Sequence, residues 1–486
     1  MERRDFLKRT MVSLGGLIVG TNLPSWILQD EAYAATQSLS LTFTDAVKQM
    51  VTFNAIDPAV CYFWAFKAST STLDIPVEVP GPHVFAFEGD TINLTLSNML
   101  PHPHRFSIPA ANIFSCTLPP GARNVPFKFL VPRAGTYLYY DDLNEPVNRV
   151  MGLHGALVSM PRNAIPKAPG RARVPKVTPY SNPSRNVQRL FNDLGSAPWL
   201  RGLAWEEGDT RAASFAQSFR QYVWLLHEAS PVLFAEVGNF RGEFPAELFK
   251  DRFLRDRFVP GGVDQPPAAM GHTPQYFTLD GQSGHFAHTN PFVSPYLRVG
   301  EPAVVRVLNA GLWDHSLHLH GNHFFLLQVN HQFNQFPELD LADVPDAFDN
   351  VVWLDTYTAR PLDVWDILVP LIRPPDNPND LGIGRADLGQ PLPVDPTPIQ
   401  EFGVVIKRGE MIAGPTPPGE TTWPPVQELH MSIPKVGTKL GDIPIHAPLS
   451  PICFAMHDHS EPTQTSQGAN YTLGMMAGLS FTGDRN

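Results

Sequence analysis

Two short stretches of the chain carry histidines at spacings that suit a transition-metal site. The first, HSLHLHGNHF (residues 315–324), contains a His-x-x-His-x-His pattern, and the second is the tripeptide His457-Asp458-His459. Residues two apart in a β-strand point to the same face of a sheet, so the two histidines of each His-x-His unit can approach one ion together. Imidazole is a good ligand for both copper and zinc. The predicted metal ligands are His318, His320, His457 and His459.

The strands that must position these histidines belong to a sequence pattern that occurs twice. Residues 81–98 and 294–309 each combine an apolar strand, a glycine beside an acidic residue and an alternating strand that ends in asparagine. A second landmark, a strand followed by a turn and a glycine-rich apolar strand, repeats at 135–158 and 452–481. This repeat, together with 50 prolines, predicts an all-β fold of two tandem β-sandwich domains with long loop insertions.

The first residues of the chain have the three parts of a twin-arginine export signal. A basic segment containing Arg3 and Arg4 precedes a mildly apolar stretch (11–19) and a small-residue cleavage site at 32–34. The pattern predicts a signal peptide and a periplasmic mature protein.

Composition narrows the classes of partner. The net charge of -11 argues against nucleic acid or an anionic membrane as a partner. No later stretch reaches the roughly 18 consecutive apolar residues that a membrane span requires. With only Cys61, Cys116 and Cys453 in the chain, at most one internal disulfide can form, so disulfides are not the framework of this fold.

The sequence predicts four parts along the chain. The segment between the two repeats is basic, contains proline and is weakly periodic, which is typical of a connector with one helix. Three compact domains, which the length alone suggests, fit the repeat less well than two domains with insertions. The predicted parts are a signal peptide (1–34), an N-terminal domain (35–165), the connector (166–217) and a C-terminal domain (218–486).

Several motifs together resemble the multicopper oxidases, the cupredoxin-domain superfamily that includes laccases and copper-dependent nitrite reductases. These motifs are the export signal, PGPHVFAFEGDT, GTYLYY, HSLHLHGNHF and the C-terminal HDHSEP and GMM segments. The resemblance implies two cupredoxin-like Greek-key β-sandwiches. In that family a type 1 copper takes electrons from a substrate and a trinuclear cluster reduces dioxygen. Ten histidines and one cysteine, in four motifs, hold those metals.

The chain departs from this family pattern at the type 1 site. His315 matches a type 1 ligand, but Asp458 stands where the family has its cysteine, and a blue copper site needs that thiolate. Met475 matches the axial ligand position, although packing in the core explains it as well. The resemblance thus implies a former type 1 site made of these three residues. We expect His315 and Asp458 to form a buried ion pair or hydrogen bond there.

The N-terminal copy retains no certain copper ligand. With the repeats aligned on their terminal asparagines, His104 takes the position of a type 1 ligand, whereas a gap would make His102 and His104 a His-x-His pair. Tyr140 and Asp142 occupy two further ligand positions, and neither is a usual ligand of a trinuclear cluster. Half a cluster therefore remains, which predicts a single mononuclear site in the C-terminal domain.

These observations favour one function and leave alternatives open. The first hypothesis is a periplasmic copper-binding oxidoreductase without type 1 copper, with zinc as an alternative ion and a small molecule or a metal as substrate. The second is a non-enzymatic scaffold that resembles the copper-free, twin-arginine-exported cell-division protein of the same superfamily. A metal-storage protein is a third, which the scattered methionines argue against. Two-domain relatives are often trimers with metal at subunit interfaces, so a homotrimer could complete the site.

Overall fold

The computed structural model describes the chain in segments. The described residues are 18–20, 36–50, 59–69, 76–161, 178–195, 203, 205, 219–254, 272–297, 300–320, 322–333, 352–371, 398–401, 404–407, 439–440, 443–444, 452–460, 463 and 474–481. The predicted signal peptide (1–34) lies outside the described residues except for 18–20, and the predicted connector (166–217) is described at 178–195, 203 and 205.

Most of the described elements are β-strands. Those of the first half are β1 (Ile18–Gly20), β2 (Thr36–Met50), β3 (Ala59–Ser69), β4 (His83–Phe87), β5 (Thr91–Asn98), β6 (His104–Ile108), β7 (Phe114–Leu118), β8 (Val125–Leu130), β9 (Gly135–Tyr140) and β10 (His154–Met160). Those of the second half are β11 (Gln221–Ala229), β12 (Tyr276–Leu279), β13 (Tyr296–Leu297), β14 (Ala303–Asn309), β15 (His315–Leu319), β16 (Phe324–Val329), β17 (Gln332–Phe333), β18 (Val352–Leu354), β19 (Thr356–Ala359), β20 (Val364–Val369), β21 (Pro398–Glu401), β22 (Val404–Lys407), β23 (Lys439–Leu440), β24 (Ile443–Pro444), β25 (Ile452–Asp458) and β26 (Met476–Phe481).

The helices in the described part of the chain are short. They are α1 (Val147–Val150), α2 (Arg185–Asp193), α3 (Pro231–Asn239), α4 (Ala246–Leu254) and α5 (Gly284–Thr289), with one 3-10 turn at Ala110–Asn112. None of these helices has the length and apolar character needed to cross a membrane.

The strands form two pairs of larger sheets, one pair in each half of the chain. The N-terminal pair has the orders β1-β4-β10-β9-β6-β7 and β3-β2-β5-β8. The C-terminal pair has the orders β12-β11-β14-β20-β16-β17, with β18 beside β16, and β13-β26-β25-β15-β19. Strands β21 and β22, and likewise β23 and β24, form separate two-stranded pairs. The predicted all-β fold of tandem cupredoxin-like sandwiches is confirmed.

Alternation of side chains explains how each sheet buries one face. In β5, Ile92, Leu94 and Leu96 are fully buried while the residues between them are partly exposed. A strand with this period of two buries its apolar face and keeps its polar face near water. Strand β15 has the same alternation, so its side chains divide between the core and the outer face.

The sequence repeat is also a repeat of hydrogen bonds. Asn98 accepts a bond from the backbone N–H two residues later (3.0 Å) and donates to the carbonyl oxygen four residues later (2.8 Å). Asn309 makes the same two bonds, at 2.9 and 2.7 Å. Gly89 and Gly300 have the same left-handed backbone, with φ of 78° and 79°, a conformation that favours glycine. Each asparagine therefore fixes the turn that leads into the next strand, β6 or β15.

The two sandwiches and the segment between them share a buried interface. Asp366 accepts hydrogen bonds from Thr136 (2.6 Å), Tyr180 (2.7 Å) and Arg306 (2.8 Å), so one carboxylate joins the N-terminal domain, the connector and the C-terminal domain. An apolar cluster contains residues of both domains together with Tyr180 and Phe191 of the connector. The described part of the connector is thus packed against both domains.

Candidate metal centre

The register of three strands decides where the predicted ligands lie. Strand β15 pairs antiparallel with β19 on one side and with β25 on the other, and His318 lies directly opposite His457. Leu317 lies opposite Asp458, and both side chains are fully buried. Because side chains alternate across a sheet, the two histidines point to the outer face while Asp458 points into the sandwich.

The four predicted ligands lie together on this outer face. The centre of the His318 ring lies 5.0 Å from the ring centre of His320, 5.4 Å from that of His457 and 4.7 Å from that of His459. The rings of His457 and His459 stack at 5.1 Å. His318, His457 and His459 each place a ring nitrogen within 4.8 Å of the others. This group is called the histidine triad below.

His320 is turned toward one member of the triad. Its Nε2 atom lies 2.8 Å from Nε2 of His457. His457 donates its Nδ1–H to the carbonyl oxygen of Asp458 (2.9 Å), because a carbonyl oxygen can only accept. In a neutral His457, Nε2 is then an acceptor, so His320 donates. His320 lies beside the triad as a hydrogen-bond partner of His457.

Neighbouring oxygen atoms orient the rings of His318 and His457. Nδ1 of His318 lies 2.9 Å from Thr356 Oγ1 and 3.2 Å from the carbonyl oxygen of Asp355. Like the bond from His457 to Asp458, this contact holds the proton on Nδ1, and it leaves Nε2 of His318 free to coordinate. Such hydrogen bonds fix the tautomer and the ring orientation of metal-binding histidines.

The site is open to solvent on one side. His457 is buried (6% exposed), His318 is intermediate, and His320 and His459 are exposed. Burial lowers the pKa of His318 to about 4, and burial also lowers the pKa of His320 and of His457. Metal ligation requires neutral imidazole, which these rings supply at neutral pH.

The donor set fits a copper or zinc ion. Three imidazoles can occupy three positions of a tetrahedral or tetragonal ion and leave the remaining positions open. Nitrogen–metal distances of about 2.0–2.1 Å require the triad nitrogens to approach one another slightly. The exposed side chain of His459 can make that adjustment. The assignment of all four histidines as ligands stays a prediction, and the geometry favours the triad.

The inner face of the same strands contains the predicted pair at the former type 1 position. Nδ1 of His315 lies 2.7 Å from Oδ2 of Asp458, and both side chains are fully buried. Asp458 also accepts the backbone N–H of Ser316 (2.7 Å) and the hydroxyl of Thr463. The carboxylate therefore has partners on each oxygen, as a buried charge requires.

A second carboxylate, which the sequence did not predict, completes this inner site. Nε2 of His315 lies 2.6 Å from Oε1 of Glu228, a fully buried residue of β11. Glu228 also accepts the backbone N–H of Leu312 at 2.8 Å. A Cβ atom on Gly311 would lie 2.0 Å from the Glu228 carboxylate, so only glycine fits there. Glu228, His315 and Asp458 are called the buried ion triad below.

Charge holds the buried ion triad in its ionised form. Burial alone would lower the pKa of His315, but the charges and hydrogen bonds of Asp458 and Glu228 outweigh it and raise the pKa to about 9. Burial likewise opposes the ionisation of the two carboxyl groups, yet His315 holds the pKa of each below its usual value. An imidazolium between two carboxylates thus occupies the position that the family resemblance assigns to type 1 copper.

Met475 borders the buried ion triad through its backbone. It is fully buried, and its carbonyl oxygen accepts the N–H of Asp458 at 3.3 Å. Its own N–H donates to the carbonyl oxygen of Thr463 at 2.8 Å. The side chain belongs to the main apolar core.

The N-terminal domain contains a related pair. His104 lies 2.5 Å from Asp141, and both are fully buried. The alignment on the terminal asparagines, which matches His104 to His315, therefore describes the structure better than the His102–His104 pair. Tyr140 and Asp142 flank Asp141 as His457 and His459 flank Asp458.

Comparison with solved structures found several chains that are similar to this one. Among solved structures, the chain is similar to a blue copper oxidase from Nitrosomonas europaea, with 14% identity over 92% of this chain and 86% of that chain and a TM-score of 0.46. It is also similar to a copper nitrite reductase from Nitrosomonas europaea, with 16% identity over 69% of this chain and 84% of that chain and a TM-score of 0.38. A copper-containing nitrite reductase from Thermus scotoductus SA-01 is similar with 18% identity over 70% of this chain and 56% of that chain and a TM-score of 0.39. No curated protein matches the chain.

Two family models match separate parts of the chain, and both describe multicopper oxidases. One matches residues 64–164 and the other residues 263–375. The first segment covers most of the N-terminal sandwich, and the second includes the His-x-x-His-x-His pattern. In these two segments the chain therefore matches the multicopper oxidase family.

Proposed function

We propose that this protein is a periplasmic copper-binding oxidoreductase with one mononuclear copper site and no type 1 copper. The observation that carries the proposal is the histidine triad of His318, His457 and His459, whose ring nitrogens lie within 4.8 Å of one another on one sheet face. Zinc is the alternative ion, because three imidazoles suit it equally well.

Copper bound by the triad would supply one-electron redox chemistry at a position open to solvent. The chain's own residues hold and orient that position. The carbonyl oxygens of Asp355 and Asp458 keep the protons of His318 and His457 on Nδ1. A type 1 centre is excluded because a carboxylate stands in place of the thiolate. The electron path through a type 1 cysteine is therefore absent from this chain.

The metal site is tested by its metal content. Copper is measured by mass spectrometry and paramagnetic resonance on the reconstituted protein and on a His318→Ala/His457→Ala variant. A His272→Ala/His331→Ala variant, which removes two histidines outside the site, is the matched control. About one copper per chain, lost only in the first variant, is expected for a mononuclear site. Equal copper in all three proteins, or none in any, would refute the proposal.

A non-enzymatic scaffold is the second candidate, and the buried ion triad favours it. Glu228, His315 and Asp458 satisfy one another without a metal, so the C-terminal sandwich is closed at the former type 1 position. A copper-free protein that folds and functions as well as the loaded one would support this candidate. Melting curves with and without copper separate the two, because a ligand of the native state raises its stability.

Location and assembly extend the proposal. The twin-arginine pattern in residues 1–34 supports export to the periplasm, which fractionation of cells with and without an Arg3→Lys/Arg4→Lys change would test. The exposure of His320 and His459 supports a homotrimer in which a neighbouring subunit covers the site. Light scattering on the purified protein measures the mass of the assembly and therefore the number of subunits.

A further inference from the structure

A methionine lies next to the histidine triad on the same face of the sheet. Strand β26 pairs antiparallel with β25, and Met476 lies directly opposite His457. His457 in turn lies opposite His318, and His318 lies opposite Thr356. One row of side chains thus crosses four neighbouring strands: Met476, His457, His318 and Thr356. Opposite residues in such a pair have Cβ atoms about 4.5–5.5 Å apart, within reach of a long side chain.

The burial of Met476 distinguishes it from an ordinary core residue. It is only 7% exposed, yet it belongs to neither of the two apolar clusters formed by the described residues. Its neighbours along the chain, Met475 and Ala477, both belong to the main cluster and point inward. Met476 is therefore a buried thioether on the outer face, directly opposite a histidine and outside both described apolar clusters.

We propose that the thioether of Met476 is a further ligand of the copper site and makes it selective for Cu(I) over Zn(II). This inference rests on the proposed function, since it assumes that the triad binds metal. Thioether sulfur is a soft ligand that prefers Cu(I), whereas imidazole serves copper and zinc alike. Three imidazoles alone would not distinguish the two metals by ligand type, and Met476 supplies the difference.

The neighbouring Met475 has a different role because it faces the other side. Its side chain lies in the apolar core, and its backbone carbonyl oxygen bonds to Asp458. The sequence pattern assigns Met475 to the axial position of a former type 1 site, whereas the strand register assigns Met476 to the outer site. The two consecutive methionines therefore serve opposite faces of one sheet.

The test compares Met476→Leu with a matched Met456→Leu variant. Leucine conserves the volume and apolar character of methionine but removes the sulfur. Met456 is fully buried on the inner face of β25, so its replacement controls for general effects of the substitution. Cu(I) affinity is measured by competition with a chromogenic Cu(I) chelator, and Zn(II) affinity by calorimetry. X-ray absorption of the Cu(I)-loaded proteins reports a sulfur neighbour of the metal.

The expected result is a selective loss in one variant. Met476→Leu should weaken Cu(I) binding about 10- to 100-fold, the range seen when partners around a metal site are removed, and should leave Zn(II) affinity unchanged. The sulfur neighbour should disappear in Met476→Leu and persist in Met456→Leu. Unchanged Cu(I) affinity and absorption in Met476→Leu, with copper bound normally, would overturn this inference alone. A wild-type protein that binds no copper would overturn the proposed function with it.

Discussion

The buried ion triad gives the sharpest stability prediction. Its energy can be derived from the pKa of His315, which the fold raises from 6.5 to about 9. A rise of this size corresponds to roughly 3 kcal/mol of folding free energy below pH 6.5. Asp458 makes the larger favourable contribution to this rise in pKa and Glu228 the smaller.

Two substitutions at Asp458 should differ in a defined way. Asp458→Asn keeps an oxygen for the N–H of Ser316 and offers an amide to a neutral His315, so it removes the charge pair without leaving an unpaired group. We expect it to cost about 2 kcal/mol, within the range for hydrogen bonds to charged groups. Asp458→Ala removes the hydrogen bonds as well, and breaking a buried pair from one side costs about 3–5 kcal/mol.

Thermal unfolding followed by circular dichroism measures both losses. For a domain of this size, 1 kcal/mol shifts the melting temperature by roughly 2–4 °C, so Asp458→Asn should melt roughly 4–8 °C lower and Asp458→Ala lower still. Asp142→Asn is the control, because its ion pair with Arg105 is partly exposed and should contribute below about 1 kcal/mol. If Asp458→Ala melted with the wild type, the buried ion triad would not stabilise the fold and the reasoning would be wrong.

Three further predictions follow from the same sites. The contribution of His315 to stability should be complete below about pH 6.5 and should decline as the pH rises through about 9, a decline that melting curves should not show for His315→Phe. His459→Ala should weaken copper binding about 10- to 100-fold, and His320→Ala should weaken it less because His320 lies outside the triad, as calorimetry would show. Asn309→Ala should cost about 1–3 kcal/mol in denaturant unfolding because it leaves buried backbone groups without partners, and Asn98→Ala should cost a similar amount because it makes the same bonds.

Local patterns in the sequence were sufficient for the fold and for the paired histidines. The alternation of apolar residues predicted the strands, and the repeat ending in Asn98 and Asn309 predicted two equivalent domains. The spacing of two between His318 and His320, and between His457 and His459, predicted that each pair shares a face. These features depend on the period of a strand, which a short stretch of sequence contains in full.

Features that depend on distant contacts could not be predicted in the same way. Glu228 lies 87 residues before His315 in the chain, and the only local sign of its role is a single acidic residue near the end of the apolar strand QYVWLLHEA. The turn of His320 toward His457, and the exposure of the site, likewise depend on how β15 and β25 are paired.

The pairing of β15 with β25 also explains how the position that the family resemblance assigns to type 1 copper and the proposed outer metal site can be independent of each other. The same two strands present His315 and Asp458 to the core and His318 and His457 to the outer face. Alternation separates the two sets, so replacing the inward thiolate by a carboxylate leaves the outward imidazoles in place. One bond still joins the faces, from Nδ1 of His457 to the carbonyl oxygen of Asp458. That bond uses the backbone of Asp458 and is independent of its side chain. The inner position can therefore hold an ion triad in place of a metal ion while the orientation of the outer histidine is preserved.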